Sequence, residues 1–320
     1  MRVMAVADPT ANSSQLRPLL KWAGGKRQLL PQLRRYYPAG FGRYWEPFLG
    51  SGAVFVDLCN RGALSGRAVT LTDNNPDLVA CYLAVRDEAE RVIEALDQLA
   101  AGHRRRSAKH YYDVRDRRFN PERRALFARP SSGTIRYTPA LAAMFIYLNR
   151  TGYNGLFRLN AKGLFNVPVG SYRNPKICDA DNLRRVAAAL QQPGVALGCA
   201  GFDRVLRKAR PRDFLYFDPP YAPLSRTARF TSYTAAGFTL EDQKRLQQVI
   251  IQLATRGCYV VLSNSTAPEI AGLYDGNPEA TAAGLRCYRI PARRAINSDA
   301  GRRGAIAEYL ITNVAESPEA

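Results

Sequence analysis

The sequence predicts an α/β protein: a doubly wound, mostly parallel sheet with an antiparallel C-terminal hairpin, plus an inserted, mainly helical domain that carries a β-hairpin. Three observations predict it. Strand-like and helix-like runs alternate along most of the 320 residues, the pattern that crossover connections impose on parallel strands. Between residues 75 and 176 the alternation lapses into helical and aromatic-rich segments, as expected of a domain inserted between two strands. The last two strand-like runs are joined by a polar stretch containing Ser298, Gly301 and Gly304. It has no room for a crossover helix, so these strands should pair antiparallel.

The elements follow in order. Residues 1–15 lack the apolar stretch of a signal peptide and read as a disordered leader. A helix is expected over 25–36, then a short strand at Trp45-Glu46, a glycine turn at Gly50-Ser51-Gly52 and a helix over 53–61. The run Ala68-Val69-Thr70-Leu71-Thr72 forms the next strand and ends in Asp73; a helix over 76–99 follows. Beyond the insertion come a helix at 180–191, a strand at 195–200 and the apolar strand Phe214-Leu215-Tyr216-Phe217. Thr239 is a good N-cap for a helix over 240–256, with Glu241 and Asp242 in its first turn. Strands at 258–263, 286–290 and 306–312 complete the sheet. The expected organisation is a sheet domain over 16–75 and 177–315, an inserted domain over 76–176 and a short tail over 316–320.

The apolar strand at 214 runs directly into Asp218-Pro219-Pro220-Tyr221. An exocyclic amine such as that of adenine needs acceptors for two N–H bonds and a flat surface under its ring. Asp218 supplies one acceptor and the Pro219 carbonyl the other; the prolines cannot extend the sheet and so fix those carbonyls in place. Tyr221 offers the stacking face. Taken alone, the same four residues also suit a turn that closes a strand.

The upstream half adds a nucleoside site. In Glu46-Pro47-Phe48-Leu49-Gly50-Ser51-Gly52 the glycines let the backbone approach a ligand closely. Asp73 then sits where a second parallel strand delivers an acid to a pair of ribose hydroxyls. The turn lacks the third glycine of a dinucleotide fingerprint, and Glu46 precedes it where a pyrophosphate would be repelled. S-adenosylmethionine, an adenosine with a zwitterionic tail, fits better than NAD. Gly24-Gly25-Lys26-Arg27 is not a phosphate loop, because it lacks the glycine spacing and the Ser or Thr that would hold magnesium.

The segment 149–173 interleaves Arg150, Tyr153, Asn154, Arg158, Asn160, Lys162, Asn166 and Tyr172 with glycines at 152, 155, 163 and 170. It reads as a glycine-bent hairpin presenting planar groups to base edges, since arginine pairs bidentately with guanine and asparagine with adenine. A surface ribbon packing its own aromatics is the plainer alternative.

With these motifs in place, the chain resembles the Dam-type DNA adenine-N6 methyltransferases (D12 class, alpha group). The matching blocks are Leu20-Lys21-Trp22-Ala23-Gly24-Gly25-Lys26, Glu46 to Phe55, Leu71-Thr72-Asp73, Leu148 to Arg158, Phe165-Asn166-Val167-Pro168 and Asp218 to Ser225, in the family's order. The resemblance implies a cofactor site at Trp22, Ala23, Gly24, Gly25, Lys26, Glu46, Pro47, Phe48, Gly50, Ser51, Gly52, Asp73, Asn74, Phe202 and Asp218, with Lys26 near the cofactor's carboxylate end. Trp22 and Phe202 also suit a purely structural role in the core. The implied catalytic set is Asp218, Pro219, Pro220 and Tyr221. For DNA the resemblance assigns Lys21 to an outer guanine, Arg158 to a guanine, Leu156 and Pro168 to thymine methyls, and Tyr153 with Asn154 to the opened base pair. Arg150, Asn160 and Asn166 complete the expected contact set, and the implied target is GATC. Ser171 stands where many relatives carry an arginine; Arg173 is close by.

Composition agrees. Forty-six Lys plus Arg against 27 Asp plus Glu give a formal charge of +19, which suits a polyanion such as double-stranded DNA. The runs Arg104-Arg105-Arg106, Arg115 with Arg117-Arg118, and Arg123-Arg124 could follow a phosphate backbone or simply lie on a solvated face. No apolar stretch approaches the ~20 residues that span a bilayer. The six cysteines are dispersed, as in reduced cytoplasmic proteins. His103 and His110 are not at ligand spacing from any of them, so neither a metal nor zinc-dependent deamination is expected. The chain is expected to be monomeric, without an obligate protein partner, and to sit in the cytoplasm with the nucleoid. Two alternatives stay open: an adenine methyltransferase of a different or longer site, as in restriction-modification, and an inactive DNA-binding protein on the same fold. An RNA or protein methyltransferase is disfavoured, because protein-amide enzymes usually carry Asn where Asp218 stands.

Overall fold

The computed structural model describes residues 15–22, 24–128, 134–221, 238–293 and 305–317. Most of the predicted leader, Ala23, residues 222–225 of the last matching block, the hairpin turn with Ser298, Gly301 and Gly304, and the end of the tail lie outside the described residues.

Seven strands form one sheet in the order β3-β2-β1-β4-β5-β7-β6. They are β1 (Tyr44–Glu46), β2 (Val69–Asp73), β3 (Val195–Cys199), β4 (Phe214–Phe217), β5 (Tyr259–Ser265), β6 (Arg286–Arg293) and β7 (Ala305–Thr312). β1 pairs in parallel with both β2 and β4, placing Tyr44 opposite Val69 on one side and Phe214 on the other. The direction of winding reverses between β1 and β4. Open α/β sheets bind ligands outside the carboxyl ends of strands at such a switch point. β7 runs antiparallel to both β5 and β6, as the short polar connection requires.

The central strands β1, β4 and β5 are buried on both faces, so alternate residues feed different cores. Tyr44, Phe214 and Tyr216 belong to one apolar cluster; Trp45, Leu215 and Phe217 belong to the other. The second cluster is closed by α7 (Leu240–Thr255) and α8 (Pro268–Tyr274). The first extends without a break into α3 (Pro76–Tyr112) and α5 (Pro139–Thr151) of the inserted segment. Burying each large side chain of this kind contributes about 1.5–3 kcal/mol.

Several helices differ from expectation for local reasons. The helix expected over 25–36 is split into a 3₁₀ turn at Lys26–Gln28 and α1 (Leu30–Arg34), because Pro31 cannot donate into the preceding turn. α2 (Ala53–Asn60) matches the predicted span to within a residue. α3 reaches well beyond residue 99, bending at Glu88 and at Ser107, where φ is 37°, and runs through a π-helical segment, Asp113–Phe119, into α4 (Asn120–Phe127). α5 falls in the insertion expected to be mainly helical, whereas α8 and α9 (Pro278–Ala282) were not anticipated; each of the three begins with proline at its first position, where the missing N–H costs nothing. α6 (Ala180–Leu190) lies where expected.

The expected hairpin over 149–173 is a looser ribbon. Antiparallel bridges join Gly152 to Val169 and Leu159 to Phe165, with no continuous strands. Its backbone groups bond to side chains of the helical layer instead. Asn120 donates to the Phe165 carbonyl at 3.0 Å and accepts from its N–H at 2.8 Å. Tyr111 and Arg115 both donate to the Val167 carbonyl, at 2.9 and 3.0 Å, and Arg123 to the Gly163 carbonyl at 2.8 Å. Arg115 and Arg123, read from the sequence as members of solvent-facing basic runs, therefore anchor the ribbon. Arg123 also forms a buried ion pair with Asp77 at 2.5 Å.

Candidate active site

β1 and β4 deliver their carboxyl ends side by side, which brings Glu46 and the Gly50-Ser51-Gly52 turn next to Asp218. Glu46 is buried; its Oε2 accepts from the Tyr44 hydroxyl at 2.8 Å and the Phe55 N–H at 3.0 Å. Burial pushes its carboxyl up to about 8 despite those two donors, and the nearby Asp218 and Asp73 charges add to the rise.

At the turn, Gly50 has φ +47°, and a Cβ there would lie 3.0 Å from the Trp22 ring. Only glycine allows both the left-handed backbone and this approach. The Gly50 N–H donates to Asp73 Oδ2 at 3.0 Å, and Tyr82 donates to the Gly50 carbonyl at 3.2 Å. Asp73 is buried at the end of β2, and its Oδ1 accepts from the Asn75 N–H at 2.9 Å. Burial pushes its carboxyl up to about 6, against backbone donors at Gly50, Asn75 and Asn74. A side chain at Gly25 would lie 3.9 Å from Ser51 Oγ, so the loop carrying Trp22 and Lys26 packs on this turn.

Lys26 links the loop that packs on the glycine turn to Asp218. Its side chain is only 3% exposed, and its ammonium meets Asp218 Oδ1 at 2.7 Å. It also donates to the Gly24 carbonyl at 2.6 Å and lies 4.5 Å from the centre of the Tyr221 ring. Burial pushes the Asp218 carboxyl up to about 6; the Lys26 ammonium opposes the rise and Glu308 adds to it. The Tyr221 hydroxyl donates to Glu308 Oε2 at 2.5 Å. Gln243, itself held by Asn264, donates to the Pro220 carbonyl at 3.1 Å. Among the described residues no donor reaches the Pro219 carbonyl. Buried Pro47 leads from β1 to Phe48, which stacks on Phe202 at 5.5 Å and meets Phe238 edge-on. Asn74 is exposed beside Asp73.

The ribbon is joined to the same loop through Lys21. Asn149 accepts from the Lys21 N–H at 2.9 Å and donates to the carbonyls of Lys21 and Gly155 at 2.7 and 2.8 Å. A Cβ on Gly155, whose φ is +65°, would lie 2.5 Å from Lys21 Cβ. The Lys21 ammonium sits 3.9 Å above the Tyr172 ring, and burial together with Arg150 lowers its pKa. Tyr153 is 44% exposed, next to Asn154 at φ 53°. Arg158 and Pro168 are exposed, with Arg158 Nε 2.8 Å from Asn166 Oδ1; Leu156 packs partly on the core. Two of the expected DNA contacts face elsewhere. Arg150 donates to the Leu19 carbonyl at 2.6 Å, and Asn160 Oδ1 closes its own turn by accepting from the Lys162 and Leu164 N–H groups.

The sequence profile of the D12 class N6 adenine-specific DNA methyltransferases matches residues 22–288. This chain belongs to that family. It is 37% identical to the type II methyltransferase M1.LlaDCHI of Lactococcus lactis, over 94% of this chain and 97% of that protein. The type II methyltransferase M.MjaIII of Methanocaldococcus jannaschii is also 37% identical, over 93% and 99%. The DNA adenine methylase of Escherichia coli is 33% identical, over 92% and 94%.

The protein is therefore an S-adenosylmethionine-dependent, adenine-specific methyltransferase that acts on DNA. Its residues fit that cofactor: Gly50 leaves room against Trp22, Asp73 keeps lone pairs for hydroxyls, and Lys26 is a cation within reach of an anionic tail. Among the described residues no group of acids, histidines and cysteines could hold a metal ion, and no helix is long and apolar enough to cross a membrane. The described cysteines are all free thiols.

Four contributors to the site carry no motif of their own: Tyr44 behind Glu46, Tyr82 behind Gly50, Gln243 behind Pro220 and Glu308 behind Tyr221. Tyr44 could have been suspected from its i, i+2 position on the face of β1 that Glu46 shares. The other three act from elements remote in sequence, which periodicity cannot connect.

Proposed function

We propose that this methyltransferase acts on N6 of an adenine everted from duplex DNA, most specifically within GATC, and works as a monomer in the nucleoid. The observation that carries the catalytic part is the amine already seated there. Lys26 Nζ rests 2.7 Å from Asp218 over the Tyr221 ring, the arrangement an adenine amine needs.

When bound, S-adenosylmethionine supplies the electrophilic methyl group on its sulfonium. Trp22, Gly24, Gly25, Lys26, Glu46, Phe48, the turn at Gly50 to Gly52, Asp73 and Phe202 would hold it. Lys26 must release Asp218 for an adenine to bind, and the cofactor's carboxylate end is the natural place for it to turn. Asp218 and the Pro219 carbonyl then accept the two amine hydrogens, directing the nitrogen lone pair out of the ring's conjugation. Eversion costs a few kcal/mol, offset by stacking on Tyr221. Alignment of the reacting atoms is worth up to about 7–11 kcal/mol in well-oriented cases.

The GATC assignment is supported by the family pattern at Lys21, Leu156, Arg158 and Pro168, and by the relatives named DNA adenine methylase. Modified-base sequencing of DNA from cells expressing the chain tests it; methylation confined to another motif rejects it. Arg158→Ala should relax preference at one guanine, costing about 1–3 kcal/mol there, whereas a uniform loss over all sequences would reassign Arg158 to phosphate. A second reading, protection of a different site as half of a restriction-modification pair, is favoured by the higher identity to the type II enzymes.

A further inference from the structure

We propose that Glu308 is a positioning residue for methyl transfer, setting the plane of the Tyr221 ring by accepting its hydroxyl. The inference rests on the reading that Tyr221 stacks on the everted base.

Tyr221 leaves β4 after two prolines and belongs to no strand, so its backbone does not fix its ring. Among the described residues the ring is tethered at its far end by the 2.5 Å hydrogen bond to Glu308 Oε2. Such a bond to an ionised acceptor is short, directional and about twice as strong as a neutral one. Glu308 is well placed to be rigid: it lies on β7, opposite Ser265 of β5 and Ile290 of β6, so the sheet holds its backbone from both sides. The antiparallel edge of the sheet thereby reaches into a site otherwise built from the parallel strands. A phenylalanine at 221 would offer the same stacking face without the tether.

The geometry also constrains charge. Glu308 and Asp218 approach the same tyrosine from two sides, and Lys26 lies over its ring while paired with Asp218. When Lys26 turns away, two carboxyl groups flank the aromatic platform. The tyrosine hydroxyl, by donating to Glu308, keeps that carboxylate engaged and leaves Asp218 as the acceptor for the incoming amine.

The test uses the full chain, S-adenosylmethionine and unmethylated duplex DNA containing the site found by sequencing. Glu308→Ala should lower kcat/KM for DNA by about 10- to 100-fold, the range for losing one charge-assisted hydrogen bond, with the cofactor Kd unchanged within about twofold. Glu308→Gln, whose amide oxygen still accepts, should recover most of that loss. Tyr221→Phe should match Glu308→Ala, and the double variant should be no worse than either single one. The proposal is overturned by an unchanged kcat/KM in Glu308→Ala, by an equal loss when Glu308 is removed in the Tyr221→Phe background, or by Gln failing to rescue while cofactor affinity falls in parallel. Tyr221→Ala separates the two levels. If it leaves turnover intact, the stacking reading itself falls; if it impairs turnover while Glu308→Ala does not, only the role of Glu308 falls.

Discussion

In the proposed reaction Asp218 must be ionised to accept the hydrogens of an amine, yet its surroundings favour the proton. Burial lifts its carboxyl from an ordinary value near 3.8 to about 6, so the acceptor is lost as pH falls through that region. The expected result is an acid limb in kcat/KM for DNA near pH 6; a limb confined to the ordinary carboxylate range would mean another group controls it. Asp218→Ala should abolish methyl transfer and largely spare cofactor binding, measured by turnover and by equilibrium titration. Glu46 gives a stability counterpart. Its folded pKa of about 8 lies above the ordinary 4.5, so the native state binds the extra proton between those values and stability must decline as pH rises through that window. Glu46→Gln should flatten this decline, as read from Tm at pH 5 and at pH 8; an unchanged slope would show that Glu46 titrates normally. None of these shifts could be read from sequence, because they follow from burial. What sequence did supply at this scale was the acids' positions: each ends a strand, where an apolar run stops at a carboxylate.

At the scale of elements, the ribbon depends on the helices behind it. Asn120 satisfies both backbone groups of Phe165, so Asn120→Ala leaves a buried donor and acceptor unpaired, at about 1–3 kcal/mol each. Thermal unfolding should show that loss, and KM for DNA should rise while cofactor affinity holds; equal damage to both ligands would mean the anchor serves the whole fold. The strand and helix succession was legible because parallel strands buried on both sides are continuous apolar runs and because Thr239 caps its helix openly. The ribbon's anchoring was not. Arg115 and Arg123 reach carbonyls 52 and 40 residues away, and a contact at that separation leaves no trace in local composition, so both arginines read as surface charge. The proline-led helices α8 and α9 were missed for a different reason: both are short, and each start lay in a loop-like stretch that outweighed the proline.

Across the whole molecule, the formal charge of +19 bears on affinity through counterion release. DNA affinity should fall steeply with salt, by roughly 10³–10⁵ between about 50 and 200 mM if 6–10 phosphates are contacted. Arg104, Arg105 and Arg106 remain exposed on α3, unlike the two ribbon anchors. Replacing all three by alanine should flatten the salt dependence by about 0.9 for each arginine that meets a phosphate; an unaltered slope would remove this stretch from the footprint. The global arrangement, with the strand order reversing beside Asp218, was implied by the sequence only as an alternation. Which strands become neighbours is decided by non-local packing.

Lys26 resting on Asp218 means that the chain itself supplies a counterion to the proposed acceptor. An incoming nitrogen therefore succeeds by exchange, and a tethered ammonium is a stringent competitor. A small free amine offers no flat surface to the tyrosine and gains little by displacing it, whereas a purine brings both. On the proposed mechanism, selectivity for the right nucleophile is in this way set before any base edge is read.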